Sequence, residues 1–323
     1  MGAVYRAVDP EIGRPVAIKV LLAESPGPEA LARFFREAQV TGQLRHPNIP
    51  PIYELSKTDD GRYYFAMKLI DGESLAAVVK RAAGEGPLAL ARERPRLLAS
   101  LVKVCEALSY AHARGVVHRD LKPANIMVGE FGEVLVMDWG IAKVLGTSDI
   151  EIDDLPRAEV DPLRTIDGAV MGTPSYMSPE QADGRVAGIN ERSDVYSSGA
   201  VLYEVLTGTP PYHGGKVQSI LAAILAGVRE PPSRRLPAAK IPAELDRLVD
   251  KAMQKAQAKR YRTVADLRAD LEAYLADRPL AAVRYTKLQR AAKWVRRNRA
   301  VTAVAGTSLA AILVALAGLF SAM

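Results

Sequence analysis

The chain has 323 residues, of which 49% are hydrophobic and 25% are charged, a composition typical of an ordered globular protein. This length suits one large domain with an appendage. A single cysteine, Cys105, excludes an intramolecular disulfide framework and an all-cysteine metal site. The net charge is +6, but residues 281–299 contain seven basic and no acidic residues, so the remainder is nearly neutral. That distribution, without zinc-finger spacing, argues against nucleic acid as a partner.

The N-terminal part of the sequence predicts a small sheet with one helix. Apolar and polar residues alternate over 4–22 around a turn at 9–13, which is typical of a hairpin of two strands. Apolar residues at helical spacing predict a helix over 29–44. Two more strands are predicted over 52–55 and 63–69, separated by a glycine-containing turn.

The rest of the sequence is mainly helical in pattern. Periodic apolar residues predict helices over 75–83, 95–114, 193–207, 217–226, 243–254 and 263–276, and strand-like runs over 126–128 and 134–137. A long acidic loop covers about 147–169, and loops of this length are usually functional or mobile. Together these patterns predict an α+β protein with a small β-rich part and a larger helical part.

The strongest chemical signal is the run His-Arg-Asp-Leu-Lys-Pro-Ala-Asn over 118–125, followed eighteen residues after Asp120 by Asp-Trp-Gly. It combines the carboxylate of Asp120, the ammonium of Lys122 and the amide of Asn125 with a second carboxylate, Asp138. Phosphoryl transfer needs such groups: one to orient a hydroxyl, a cation for the phosphate, and oxygen ligands for magnesium. The pattern therefore predicts a phosphoryl-transfer site.

A lysine inside an apolar strand supplies a second signal. Lys19 ends the run Val-Ala-Ile-Lys, where an ammonium group is costly to bury unless it is paired or holds an anion. Glu37, eighteen residues later on the predicted helix, is its expected partner. Alone this signal is weak, because a lysine in a strand often extends to solvent.

These motifs together resemble the eukaryotic-type protein kinases, and in detail their bacterial serine/threonine members, over residues 1–277. Further ordered motifs carry the resemblance: Gly172-Thr173-Pro174, Ser178-Pro179-Glu180 where the family commonly has Ala-Pro-Glu, Ser193-Asp194-Val195-Tyr196, and Arg260-Tyr261. The resemblance implies the two-lobed α+β kinase fold, with an N-lobe over 1–70 and a larger helical C-lobe over 71–277.

The resemblance also implies ATP and Mg²⁺ as cofactors and protein serine or threonine hydroxyls as acceptors. It implies that Asp120 is the catalytic base and that Lys122 neutralises the γ-phosphate. The other expected roles are magnesium ligands at Asn125 and Asp138, a phosphate-holding pair at Lys19 and Glu37, and adenine contacts at Val4, Ala17, Met67, Leu69, Ile70 and Met127.

The glycine-rich loop of the family, G-x-G-x-x-G-x-V, is incomplete. This chain begins Met-Gly-Ala-Val, so only Gly2 and Val4 of the motif are present. We therefore expect an N-lobe that lacks its first strand, and we interpret Met1 as a misplaced start. Fewer backbone N–H groups then cover the phosphates, which weakens nucleotide binding.

The segment after Asp138 is expected to regulate the site. By resemblance, Glu180 forms a buried ion pair with Arg260, and Asp194 supports the backbone of His118 and Arg119. The arginine directly before the catalytic aspartate resembles that of kinases controlled by activation-loop phosphorylation.

Two threonines of this segment are candidate sites. Thr165 is the predicted phosphorylation site, and Asp167 is an alternative source of fixed negative charge. Thr173, in the substrate-docking loop, together with Lys122 favours serine/threonine over tyrosine specificity by resemblance. A solvated loop without this function stays open as the other interpretation.

The C-terminal tail predicts a membrane anchor. Residues 300–323 are 24 residues without a charge, about 36 Å as a helix against a hydrocarbon core of about 30 Å. We expect a single-pass transmembrane helix over 300–322 in the inner membrane. Arg296, Arg297 and Arg299 place the kinase in the cytoplasm by the positive-inside rule.

The segment 278–299 before this span is expected to be a basic juxtamembrane helix that contacts anionic lipid. The basic residues that are expected to follow one side of it are Arg284, Lys287, Arg290 and Lys293, with Tyr285 and Trp294 suited to the interface. A solvated linker helix is the alternative.

The sequence thus favours a membrane-anchored serine/threonine kinase. Its rival is a membrane-tethered pseudokinase or scaffold, in which the incomplete glycine-rich loop impairs nucleotide binding. The protein substrate and the stimulus stay undetermined, and a homodimer is an option that the sequence leaves open.

Overall fold

The computed structural model describes residues 2–22, 26–145 and 174–298, together with 300, 302–304, 307 and 308. These residues form a β-rich N-lobe and a helical C-lobe, as the sequence predicts. Thr165 and Thr173 lie outside the described residues.

The described part of the N-lobe contains a sheet and one helix. The sheet has the strand order β1-β2-β4-β3, and its neighbouring strands are antiparallel. Among the described residues β1 is therefore an edge strand. The elements of the N-lobe are β1 Gly2–Val8, β2 Pro15–Leu21, α1 Pro28–Gln43, β3 Ile52–Lys57 and β4 Tyr63–Lys68.

Helix α1 is held against the sheet by a small apolar core. Phe34 and Ala38 on the helix pack with Leu21, Phe65 and Met67 of the strands. Pro28 opens the helix, where its missing N–H costs no intrahelical hydrogen bond. This packing fixes the side of α1 that faces the sheet, and with it the position of Glu37.

The C-lobe contains the remaining elements, and most of its helices have the predicted ranges within a few residues. Its strands are β5 Gly72–Ser74, β6 Val116–Val117, β7 Ile126–Gly129, β8 Val134–Val136 and β9 Lys143–Val144. Its helices are α2 Leu75–Gly84, α3 Pro87–Ala113, α4 Pro179–Ala182, α5 Glu191–Thr207, α6 Val217–Ala226, α7 Pro232–Arg235, α8 Ala243–Ala252, α9 Val264–Leu275 and α10 Lys287–Arg297.

Helix α3 is longer than predicted. The sequence predicts its start at residue 95, because proline normally opens a helix. In the structure α3 begins at Pro87, and Pro95 lies inside it. Buried side chains continue at helical spacing on both sides of Pro95, at Leu90, Arg94 and Leu97, so the tertiary packing outweighs the local cost of the proline.

Helix α5 is the centre of the C-lobe. Every residue from Ser193 to Thr207 is buried. Helix α8 approaches it so closely that a Cβ atom built on Gly199 would lie 2.7 Å from the Cβ atom of Ala252. Because α5 is enclosed on all sides, groups at its N-terminal end have a rigid support.

The segment after α9 packs on the C-lobe. Asp270 accepts hydrogen bonds from the backbone N–H groups of Ala281 and Ala282, and Leu280 is buried in the core. The residues directly after α9 are therefore packed against the C-lobe.

One part of the juxtamembrane prediction is wrong. Lys293 was expected to face lipid, but its side chain is only 7% exposed and lies 2.9 Å from Glu244 and 3.2 Å from Asp277. Tyr285 likewise binds Glu244 through its hydroxyl instead of pointing to an interface. The structure confirms a helix over Lys287–Arg297, but Arg284 and Tyr285 precede it, and the spacing does not predict which side of the helix contacts the protein.

Within the described residues, no helix is long and apolar enough to cross a bilayer. Most of the span predicted at 300–322 lies outside the described residues.

A buried ion pair joins α4 to the segment before α9. Both guanidinium nitrogens Nη1 and Nη2 of Arg260 lie 2.8 Å from the carboxylate oxygens of Glu180, as the resemblance implies. Ser193 donates a third hydrogen bond to Glu180 at 2.7 Å. The two side chains are almost fully buried, so the bidentate geometry must compensate for their lost hydration.

This ion pair makes the free energy of unfolding depend on pH in the acid range. Burial alone would raise the pKa of Glu180, but the hydrogen bonds and charge of Arg260 outweigh it and lower the pKa to about 2. The stabilisation is complete above the pKa of the unfolded chain, about 4.3, and is lost as the pH falls towards 2. A difference of about two pKa units corresponds to roughly 3 kcal/mol.

We predict that Glu180→Gln lowers the free energy of unfolding at pH 7 by about 3–5 kcal/mol, because Arg260 then stays buried without a countercharge. The difference between wild type and variant should shrink as the pH falls from 5 to about 2. Urea unfolding at several pH values measures it, with the exposed Glu272→Gln as control. A difference that stays constant over this range would contradict the prediction.

Candidate active site

A cleft lies between the N-lobe sheet and the β7–β8 hairpin. Its cavity of about 330 Å³ has mainly apolar walls, which suits a planar aromatic ring. All six predicted adenine contacts line it: Val4, Ala17, Met67, Leu69, Ile70 and Met127. Gly2 lies outside this lining, on β1 opposite Leu21.

Charged groups occupy one end of the cavity. Lys19 on β2 forms the expected ion pair with Glu37 on α1, and Asp138 lines the same end. Burial raises the pKa of Glu37, Lys19 opposes this effect, and the nearby charge of Asp138 adds to it. The cluster therefore brings two carboxylates near one ammonium group, which favours the binding of another cation.

The backbone between these two carboxylates is close to both of them. A Cβ atom built on Gly140 would lie 3.3 Å from Asp138 Oδ1 and 3.3 Å from Glu37 Oε2. A side chain at this position would crowd both oxygens. The glycine of the Asp-Trp-Gly motif thus keeps the space beside the carboxylates open.

The three chemical groups of the run 118–125 converge beside the cleft, whose lining includes Ala124 of the same run. Lys122 Nζ lies 2.7 Å from Asp120 Oδ2. Asn125 donates its Nδ2 to the backbone oxygen of Asp120 at 2.9 Å and lies 3.3 Å from Asp120 Oδ2. Because Nδ2 is engaged, Oδ1 is the atom of Asn125 that is left to bind a cation.

A buried carboxylate holds this loop. Asp194, at the start of α5, accepts the backbone N–H of His118 at 2.8 Å and that of Arg119 at 2.9 Å. It also accepts a 2.7 Å hydrogen bond from His112 Nε2. Burial opposes the ionisation of Asp194, but His112, His118 and the Arg119 backbone outweigh it, and its pKa is lowered.

The loop needs this support because its backbone is strained. Arg119 has φ of 70° and Asp138 has φ of 62°, a left-handed conformation that costs an ordinary residue about 1–2 kcal/mol. Arg119 directly precedes Asp120. Asp138 lies outside this loop and is itself one of the chemical groups. The hydrogen bond from the Arg119 N–H to Asp194 offsets part of that cost.

His118 connects Asp120 with the residues that lead from β8 to Asp138. Its Nδ1 accepts the Asp120 N–H at 3.2 Å, and its Nε2 lies 3.0 Å from the Met137 oxygen. These partners assign the proton to Nε2. The ring of Trp139 lies 4.6 Å from the His118 ring.

Trp139 stands at the position where the resemblance to the family implies phenylalanine. It is fully buried, so its indole N–H needs a partner, and the Val136 oxygen supplies one at 3.1 Å. The substitution therefore leaves no unsatisfied donor in the core.

Sequence reasoning missed one contact that links α4 to the catalytic loop. Gln181 donates its Nε2 to the backbone oxygen of Arg119 at 2.7 Å, while its Oε1 accepts the N–H of Ser178. Gln181 directly follows Glu180, so one short helix is tied both to Arg260 and to the loop that carries Asp120. The available signal was a glutamine three residues after Ser178, which is the spacing of a capping box.

Magnesium and a nucleotide suit the residues present. Asn125 Oδ1 and the Asp138 carboxylate are oxygen donors of the kind that magnesium prefers. The cluster of Glu37, Lys19 and Asp138 lies next to the apolar cavity, so a ring and a phosphate chain are accommodated side by side.

Comparison with known proteins agrees with this geometry. Residues 1–270 match the model of the protein kinase domain. Serine/threonine-protein kinase PknB of Mycolicibacterium smegmatis is 40% identical over 278 residues, which are 84% of this chain and 40% of that protein. Serine/threonine-protein kinase PknD of Protochlamydia amoebophila is 34% identical over 287 residues, 86% of this chain and 29% of that protein.

A third relative, serine/threonine-protein kinase PknB of Mycobacterium tuberculosis, is 39% identical over 275 residues, 84% of this chain and 40% of that protein. The chain thus spans less than half the length of these curated relatives. The motifs occur in the family's order, Lys19, Glu37 and Asp138 line one cleft, and the family match covers most of the sequence. The chain belongs to the protein kinase domain family and is similar to its bacterial serine/threonine members.

Proposed function

We propose that this chain is the catalytic part of a serine/threonine protein kinase that transfers the γ-phosphate of ATP to protein hydroxyl groups. The observation that carries the proposal is the convergence of Asp120, Lys122 and Asn125 beside an apolar cleft whose lining includes Ala124 and Asp138. The relatives named serine/threonine-protein kinase support the same activity.

In this proposal Asp120 orients the acceptor hydroxyl and takes its proton. The hydroxyl oxygen bonds to the γ-phosphorus as the bond from phosphorus to the β–γ bridging oxygen breaks, which releases ADP. Lys122 lies 2.7 Å from Asp120 and offsets negative charge on the transferring group. Magnesium, held by Asn125 and Asp138, would supply charge neutralisation along the phosphate chain.

Lys19 and Glu37 are proposed to hold the phosphate chain in position, with the ammonium group of Lys19 as the direct contact. Lys19 lies on β2 between Val4 of β1 and Phe65 of β4, so the sheet fixes the start of its side chain. Glu37 fixes the far end through the ion pair. A lysine restrained at both ends loses little further entropy when it binds an anion.

The activation-segment roles follow the same proposal. We take Thr165 as an autophosphorylation site and Thr173 as a contact near the acceptor residue, on the resemblance alone. Glu180 and Arg260 then anchor the end of the segment through their buried ion pair.

The proposed domain arrangement is a kinase domain over 1–277, a basic segment over 278–299 and a membrane span over 300–322. The 24 uncharged residues after Arg299 support a single-pass anchor in the inner membrane. The arginines directly before them support a cytoplasmic kinase.

We predict that Asp120→Asn lowers the rate of phosphate transfer by about 10²-fold or more, because the proton acceptor is lost. The affinity for Mg²⁺-ATP should stay near that of wild type. Lys19→Met should instead abolish ATP binding, since it removes the cation that holds the phosphates. Radiolabelled transfer to a protein substrate and calorimetric ATP titration measure the two effects.

The matched control is Asp183→Asn, which removes an exposed carboxylate paired only with Arg185 among the described residues. It should leave both quantities unchanged. Near wild-type transfer in Asp120→Asn would refute the role of Asp120. Failure of the wild-type protein to bind Mg²⁺-ATP would instead support the pseudokinase alternative.

We also predict that the full chain stays in membranes through washes with high salt and with alkaline carbonate, because salt and base do not reverse the insertion of an apolar span. Fractionation of membranes from expressing cells measures this. Release of the protein by either wash would contradict a spanning segment at 300–322.

A further inference from the structure

Helix α10 has an unusual distribution of polar and apolar side chains. A surface helix normally turns its apolar residues to the protein and its charged residues to water. In α10 the one buried residue is Lys293, and it contacts Glu244 at 2.9 Å and Asp277 at 3.2 Å. Arg296 adds an ion pair with Asp277 at 2.9 Å. Charge, not apolar surface, therefore attaches this helix to the C-lobe.

The apolar residues of α10 point away from the protein. Leu288 is 83% exposed, Trp294 is 48% exposed and Val295 is 42% exposed. At about 100° per residue, Leu288, Ala291 and Val295 lie within about 40° of the direction opposite Lys293, and Trp294 lies at the margin of this group. We call Leu288, Ala291, Trp294 and Val295 the outward face of α10.

Basic residues lie at the margin of the outward face and on the other side of α10. At about 100° per residue, Lys287 lies about 60° from the centre of the outward face, and Arg290 and Arg297 lie within about 60° of Lys293. Lys287, Arg290 and Arg297 are all exposed, and none of them has an ion-pair partner among the described residues. Between residues 281 and 299 the sequence contains no acidic residue that would neutralise them. Helix α10 therefore combines an apolar outward face with uncompensated positive charge at the margin of that face and on the other side of the helix.

That combination matches the surface of an anionic bilayer. Apolar side chains enter the boundary between headgroups and acyl chains, tryptophan prefers this level, and lysine and arginine attract anionic headgroups. The uncharged stretch from residue 300 follows α10 after only two residues, so the proposed span would bring the helix to the membrane surface. A binding site for another protein requires no such continuation.

We infer that the outward face of α10 lies in the headgroup region of an anionic membrane while Lys293 holds the opposite side of the helix to the C-lobe. This inference rests on the membrane association in the proposed function and adds the contact surface to it. Because α10 is attached through Glu244 of α8 and Asp277 after α9, the bound helix also fixes the orientation of the C-lobe above the membrane.

The chain contains its own reporter of this contact. It has two tryptophans, and Trp139 is fully buried, so a quencher located in lipid reaches only Trp294. The full chain is reconstituted into vesicles of phosphatidylcholine and phosphatidylglycerol, or of phosphatidylcholine alone, with bromines on the acyl chains near the headgroups. We expect Trp294 emission to be quenched in the anionic vesicles, and much less in the zwitterionic ones or at high salt.

Charge variants test the specificity of the contact. Lys287→Glu with Arg290→Glu and Arg297→Glu should abolish the quenching, since each basic residue contributes about fivefold to partitioning at an anionic surface. The matched control is Lys80→Glu with Lys216→Glu and Lys259→Glu, three exposed lysines of the C-lobe away from α10. It should keep the quenching, and ATP binding by both variants shows that they are folded.

The outcomes separate this inference from the membrane anchor. If the full chain does not float with vesicles, the membrane association itself fails. If it floats and resists washing, but Trp294 is not quenched, the anchor stands and the inference about α10 is overturned. Equal quenching in both lipids, or equal loss in both charge variants, overturns it too. Protection of Trp294 from iodide in detergent that increases with protein concentration would assign the outward face to a second copy, and would also overturn it.

Discussion

The site depends on one buried carboxylate, that of Asp194. It accepts hydrogen bonds from the backbone N–H groups of His118 and Arg119 and from the Nε2 of His112. It lies on a helix whose residues from Ser193 onward are all buried. A loop with φ of 70° at Arg119 would relax if it had only water as a partner. Because Asp194 belongs to the packed core of the C-lobe, its hydrogen bonds hold the loop in place. They thereby fix the position of Asp120.

Two further connections extend this support across the cleft. His118 bridges the Asp120 N–H and the Met137 oxygen, which brings the catalytic loop into register with the strand that leads to Asp138. On the other side, Gln181 binds the Arg119 oxygen, and the adjacent Glu180 is paired with Arg260. The chemical groups themselves make few contacts with the core. The positions of these groups are held by neighbouring residues. The hydrogen bonds of those neighbours are buried and therefore costly to break.

The sequence predicted the elements that have a periodic apolar pattern and the contacts between residues of the family motifs. Helical periodicity predicted α5 and α6 within two residues. The spacing of the strand lysine and the helix glutamate predicted the contact of Lys19 with Glu37, and the resemblance to the family implied the contact of Glu180 with Arg260. Strands β6 and β9 are two residues each, too short to show an alternating pattern. The burial of Lys293 could not be predicted because it depends on Glu244 and Asp277, which are brought to α10 only by tertiary packing.

The measurement that tests this account most directly is the turnover of Asp194→Asn with its ATP affinity and free energy of unfolding. An asparagine keeps the size of the side chain, but it has only one acceptor oxygen. In the wild-type protein the same donors share the two carboxylate oxygens of Asp194. We expect kcat to fall by about 100-fold, since a small displacement of Asp120 suffices for that, while ATP binding in the apolar cleft changes little. A kcat within about twofold of wild type, in a folded protein, would show that the catalytic loop does not depend on this carboxylate.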